Sequence, residues 1–100
     1  MRVINLNREV QGDAVYIGRP SVWGNPYRVG PDGDRGAVVA KYRQHVLGRV
    51  DLLRRVPDLV GVDLACWCKP RACHGDVLLE LVAQYEAAKA AGKPWPEAVT

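Results

Sequence analysis

The sequence predicts a small single-domain α/β sandwich with a short, partly parallel sheet of about three strands and about three helices. Three observations predict it. Short β-branched or apolar runs occur at Val3–Leu6, Ala14–Gly18 and Val60–Trp67. Segments with helically spaced apolar residues lie between and after them. The resulting order is strand, strand, helix, short helix, strand, helix, in which a helical crossover between two strands favours parallel pairing.

Val3–Leu6 reads as a short first strand and Gln11-Gly12-Asp13 as a turn. Ala14–Gly18 reads as a second, buried strand. From Arg19 to Gly33 the chain is a loop, because Pro20, Gly24, Pro26, Gly30, Pro31 and Gly33 interrupt any regular structure. A loop of this length in a compact domain is often functional. Asp34 is placed to cap a helix over Arg35–Leu47, with Val38, Val39, Tyr42, Val46 and Leu47 on its apolar face and Gly48 at its end. Asp51–Val56 reads as a second, short helix stopped by Pro57. The third strand runs from about Val60 to Trp67. The last helix spans roughly Asp76 to Ala91, with Val77, Leu78, Leu81, Val82 and Tyr85 facing the core and Gly92 as its stop. The tail, residues 91–100, reads as a loose end that Trp95 can pin.

One hundred residues are enough for one core and leave no room for a separate regulatory module. The chain is 48% apolar and 25% charged, the balance of a globular protein rather than a disordered one. With no phenylalanine, Val, Leu and Ala must fill most of the interior. The net charge of +3 permits an anionic partner but is too small to argue for duplex DNA by itself. No apolar run is long enough to span a bilayer. Met1–Glu9 has no signal-peptide core, so a cytoplasmic location is expected.

The chemistry concentrates in Cys66-Trp67-Cys68-Lys69-Pro70-Arg71-Ala72-Cys73-His74-Gly75-Asp76, between the third strand and the last helix. This stretch holds all three cysteines and one of the two histidines. An odd number of closely spaced cysteines argues against a secreted disulfide framework. Three chemistries fit the loop. Cys66, Cys68, Cys73 and His74 offer the thiolate and imidazole donors that zinc prefers, although their crowding into nine residues is unusual for a structural zinc site. Alternatively, Cys73 and His74 at a helix start, with Lys69 and Arg71 nearby, form an anion-binding or nucleophilic site. The third reading makes the cysteines small buried hydrophobes and His74 a helix cap. A tyrosine-phosphatase loop is rejected, because neither Cys66 nor Cys68 has the five-residue spacing to Arg71.

The first long loop adds a guanidinium (Arg19), an indole (Trp23) and an amide (Asn25). Arg19 can grip a phosphate or carboxylate in a bidentate manner. Trp23 or Tyr27 can stack on a base. The structural alternative has Trp23 covering the core and Arg19 pairing with Asp76 or Glu80. Arg35, in the first turn of its helix, opposes the helix dipole, which argues for a specific partner.

Taken together, Tyr16-Ile17-Gly18-Arg19-Pro20-Ser21-x-Trp23-Gly24-Asn25-Pro26, then Asp32-Gly33-x-Arg35 before a helix with Lys41-Tyr42, then Leu64-Ala65-Cys66-Trp67-Cys68-Lys69-Pro70-x-x-Cys73-His74-Gly75-Asp76-Val77-Leu78, resemble the DUF4326 family of small bacterial and phage proteins. The likeness runs from about Val3 to Leu81. The Cys-His step before a helix is also distantly similar to the DUF488 group. Neither resemblance implies an activity. The first implies that Arg19, Trp23, Asn25, Arg35, Cys66, Cys68, Cys73 and His74 occupy motif positions together.

The resulting expectation is one pocket, formed where the loops after the second and third strands meet at the carboxyl end of the sheet. It would take a nucleotide-like or other phosphate-bearing small molecule. Arg19, Arg35, Asn25 and Lys69 would hold the ligand, Trp23 would stack, and Cys73, His74 and Asp76 would supply hydrolase- or transferase-like chemistry. The alternative is a zinc-stabilised, non-enzymatic module that binds nucleic acid or a protein. No membrane partner is expected.

Overall fold

A computed structural model describes residues 2–67, 71 and 73–99 of the chain. Three short strands, β1 (Val3–Asn5), β2 (Val15–Tyr16) and β3 (Leu64–Cys66), form one sheet in the order β1-β3-β2. Both pairings are parallel, and Leu64 of β3 lies opposite Val3 on one side and Val15 on the other. The central position explains the composition of β3. Leu64, Ala65 and Cys66 are each buried, as expected for a parallel strand covered on both faces.

The helices are α1 (Arg35–Leu47), α2 (Val50–Leu53) and α3 (His74–Ala90). The Asp34 carboxylate caps α1 by accepting from the Ala37 amide at 2.8 Å, and Gly48 closes the helix, as the sequence predicts. α1 and α3 pack on each other, and Arg43 of α1 pairs with Glu80 of α3. The core joins Ile17, Tyr42, Leu53, Leu64, Leu78 and Leu81, all 1% exposed or less. Leucine and valine thus fill most of the interior, around the buried rings of Tyr42 and Trp23.

Four elements differ from the sequence expectation. The second strand, expected buried over Ala14–Gly18, is the half-buried Val15–Tyr16, because it lies at the sheet's edge with β3 as its neighbour. The predicted strand from Val60 contracts to Leu64–Cys66, because Leu59 ends a 3-10 turn over Val56–Leu59 and Gly61 then reverses the chain at φ +78°. The second helix starts at Val50 and gives way to that 3-10 turn. Pro57 is accommodated at the turn's start, where its missing N–H costs nothing. The last helix begins at His74 rather than Asp76, because Cys73 acts as its N-cap.

The tail is pinned by Trp95. Its indole N–H donates to the Leu53 carbonyl at 2.7 Å, and its ring meets Tyr85 edge-on at 5.6 Å. Among the described residues, no helix is long and apolar enough to cross a membrane.

α3 approaches the sheet so closely that its second residue must lack a side chain. A Cβ on Gly75 would lie 2.8 Å from Val3 Cγ2 and 2.9 Å from Ile17 Cδ1. Gly75→Ala is expected to destabilise the protein by about 1–3 kcal/mol through overpacking, read as a lower urea midpoint at an unchanged m-value.

Candidate functional site: a thiol–imidazole pair beneath a cationic cleft

A cleft of about 640 Å³ opens at the carboxyl ends of β2 and β3. This is the end of a parallel sheet where ligands bind in open α/β folds. Three kinds of side chain build it. Arg19, Arg28 and Arg35 bring positive charge to its walls. Tyr16, Tyr27 and Trp67 supply aromatic surface. Cys66, Cys73 and His74 lie in its floor.

The floor is assembled at the start of α3. Cys73 is the N-cap, and its sulfur accepts from the Gly75 amide at 3.4 Å. The Asp76 carboxylate reaches back to the Cys73 amide at 3.2 Å, completing a capping box in which a thiol stands where serine or threonine is usual. His74 points across to β2, and its Nε2 lies 2.7 Å from the Ile17 carbonyl. That carbonyl can only accept, so Nε2 carries the hydrogen. In the neutral ring, Nδ1 is then the acceptor. It lies 3.6 Å from the Cys73 sulfur. The ring is held from a third side by Tyr42, edge-on at 4.9 Å.

The Cys73 sulfur therefore meets a proton acceptor and a helix N-terminus together. Both are contacts that a nucleophilic thiol can use. The Cys66 sulfur, at the end of β3, lies 3.1 Å from that of Cys73.

The walls are also locally determined. The Tyr16 hydroxyl donates to the Arg19 carbonyl at 2.8 Å and receives the Trp67 indole N–H at 3.2 Å. Gly18 is required beneath this arrangement, because a Cβ there would collide with the Tyr16 phenol. The Asn25 side chain donates to the Val38 carbonyl at 3.1 Å and accepts from the Tyr27 amide at 2.9 Å, which fastens the long loop to α1. Lys41 donates to the Asp32 carbonyl at 2.7 Å and sits 5.7 Å from the centre of the Tyr27 ring.

The structure brings Arg19, Asn25, Arg35, Cys66, Cys73 and His74 to one cleft, as the sequence predicts. It separates two other candidates from their predicted roles. Trp23 is only 6% exposed and belongs to the core rather than the cleft lining; its carbonyl accepts from the Tyr42 hydroxyl at 2.8 Å. Its apolar ring and its place after a tight turn against Arg19 carry it inward. Asp76 serves the helix cap rather than the cleft lining. Lys69 and Cys68 lie outside the described residues. Among the described residues, Arg19 forms no ion pair with Asp76 or Glu80.

Sequence reasoning missed Tyr16, Trp67 and Arg28. Trp67 carried a signal, since an aromatic residue that follows a buried strand directly is set at the site's edge; it is 53% exposed.

The zinc alternative draws on four ligands, of which Cys68 lies outside the described residues; the sulfurs of Cys66 and Cys73 stand 3.1 Å apart. Among the described residues, no group of three metal-ligating side chains converges.

Two expectations follow. Asp76→Ala should cost about 1 kcal/mol of unfolding free energy while Asp76→Asn retains most of it, measured by urea denaturation, if the carboxylate acts as a cap. Burial, aided by the negative charge of a Cys73 thiolate, holds the Tyr42 phenol well above its ordinary range. The unfolded phenol ionises near about pH 10 while the folded one stays protonated, so the unfolded chain binds fewer protons and stability falls as pH rises past that point. Tyr42→Phe should flatten this decline by up to about 1.4 kcal/mol per pH unit, seen in denaturation series between neutral and strongly alkaline pH.

The family described as Domain of unknown function (DUF4326) matches residues 4–84. An Enterobacteria phage T4 protein, described as an uncharacterized 12.4 kDa protein in the nrdA-td intergenic region, is 34% identical over 73 residues. The match covers 68% of this chain and 66% of the phage protein, so the chain spans about two thirds of that relative's length. No solved structure matches the chain. The cleft walls and floor all fall within the matched residues, and the chain belongs to the DUF4326 family.

Proposed function

We propose that the cleft binds a nucleotide-like, phosphate-bearing small molecule and that Cys73 and His74 act on it. The observation that carries this reading is the grouping of three arginines and three aromatic rings around a floor made by a thiol–imidazole pair. Guanidinium groups suit phosphate oxygens, which they can engage in bidentate hydrogen bonds. Aromatic faces suit a base. The volume of about 640 Å³ lies within the usual range for small-molecule sites.

The division of labour follows from position. Arg19 and Arg35 both line the cleft, the first just beyond the end of β2 and the second in the first turn of α1. The phosphate lies between them. The half-exposed Trp67 ring at the rim takes the base. The Cys73 thiol gives its proton to His74 Nδ1 and attacks as a thiolate, while the Ile17 carbonyl stabilises the imidazolium through Nε2–H. The reaction class is hydrolysis or group transfer.

Adenosine monophosphate, with adenosine and inorganic phosphate as controls, is the first probe. It should raise the melting temperature and quench tryptophan fluorescence, and each control alone should do less. Arg19→Ala should weaken binding by about ten- to a hundredfold, the size of one charge-assisted hydrogen-bonded contact. Trp67→Ala should weaken it by about 1–3 kcal/mol. Cys73→Ser should bind the probe and lose any turnover. If no ribonucleoside or deoxyribonucleoside monophosphate shifts the melting temperature, the reading fails.

A further inference from the structure

Cys66 and Cys73 belong to different elements, yet the fold places their sulfurs 3.1 Å apart. Both residues are only 1% exposed, and both line the cleft floor, so the cleft is their route to solutes. Neither is in a disulfide. A disulfide needs its sulfurs at about 2.05 Å, so the pair is about 1 Å from bonding distance. Cys73 is the partner placed to attack: it has the Gly75 amide at 3.4 Å and His74 Nδ1 at 3.6 Å.

We infer that Cys66 and Cys73 are a peroxide-sensitive thiol pair that closes reversibly into a disulfide and thereby removes the Cys73 thiol from His74. The chemistry has two steps. The Cys73 thiolate attacks one oxygen of a hydroperoxide; the S–O bond forms, the O–O bond breaks, and the departing oxygen takes up a proton to leave as water or an alcohol. The Cys66 sulfur then attacks the Cys73 sulfenic acid; the S–S bond forms, the S–O bond breaks, and hydroxide leaves with the Cys66 proton as water. Two thiols lose two electrons in total and the peroxide gains them. A dithiol reductant returns the pair to thiols. Cys66 is thus the resolving residue. It keeps Cys73 from the irreversible sulfinic state that an isolated reactive cysteine reaches. The inference goes beyond ligand binding, and its readout requires no ligand.

The test treats the folded protein with hydrogen peroxide, blocks remaining thiols with iodoacetamide, digests with trypsin and maps the peptides by mass spectrometry. Cleavage after Arg71 puts Cys66 and Cys73 on separate peptides. The expected result is a Cys66–Cys73 linked pair that disappears on treatment with dithiothreitol, in the wild type and in Cys68→Ser. In Cys66→Ser, the same dose should carry Cys73 on to the sulfinic acid. The inference is overturned if Cys73 is alkylated as fully as in the untreated protein, if the wild type accumulates sulfinic Cys73 without the link, or if fragmentation assigns every link to Cys68.

Discussion

The hydrogen bond between His74 Nε2 and the Ile17 carbonyl is the constraint on which the site depends. It ties the start of α3 to the end of β2, across the central strand that separates them in the chain. With that bond made, the imidazole has one orientation and one tautomer, and its second nitrogen faces the Cys73 sulfur. A buried carbonyl would otherwise carry an unmet acceptor at a cost of about 1–3 kcal/mol. The interaction that orients the reactive group therefore also satisfies the backbone beyond the end of a two-residue strand.

The same economy holds for the rest of the helix start. Cys73 caps α3 with a sulfur, a weaker acceptor than a hydroxyl, and the Asp76 carboxylate reinforces the cap from below. A serine would cap at least as well, but it would not bring a polarisable, nucleophilic sulfur to the cleft floor. Local stability is thus surrendered for reactivity at one position and recovered three residues later. Gly75, between them, lets the helix descend far enough onto Val3 and Ile17 for His74 to reach its carbonyl.

Much of this was legible in the sequence where local chemistry decides the outcome. α1 could be read end to end, because Asp34 and Gly48 punctuate a clear apolar stripe. The convergence of Arg19, Arg35 and the Cys-His loop followed from parallel strands, whose carboxyl ends share one edge. Other features depended on packing between distant segments and could not be read in advance. The start of α3 was misjudged by two residues because cysteine is an uncommon N-cap. Trp23 and Trp67 could not be told apart in advance: nothing local tells which indole will cover the core and which will stand at the rim. The reach of His74 to Ile17 spans 57 positions and leaves no trace in spacing or composition.

The brevity of the strands has a consequence for how this protein behaves in a crowded solution. Both edges of the sheet are very short, three residues in β1 and two in β2. An open edge recruits foreign chains in proportion to the row of unpaired amides and carbonyls it displays, and very short edges are one way natural sheets limit such recruitment. Here the sheet fixes the cleft through its buried centre while giving stray strands little to extend. The fold can thus hold a reactive floor without also offering a template for aggregation.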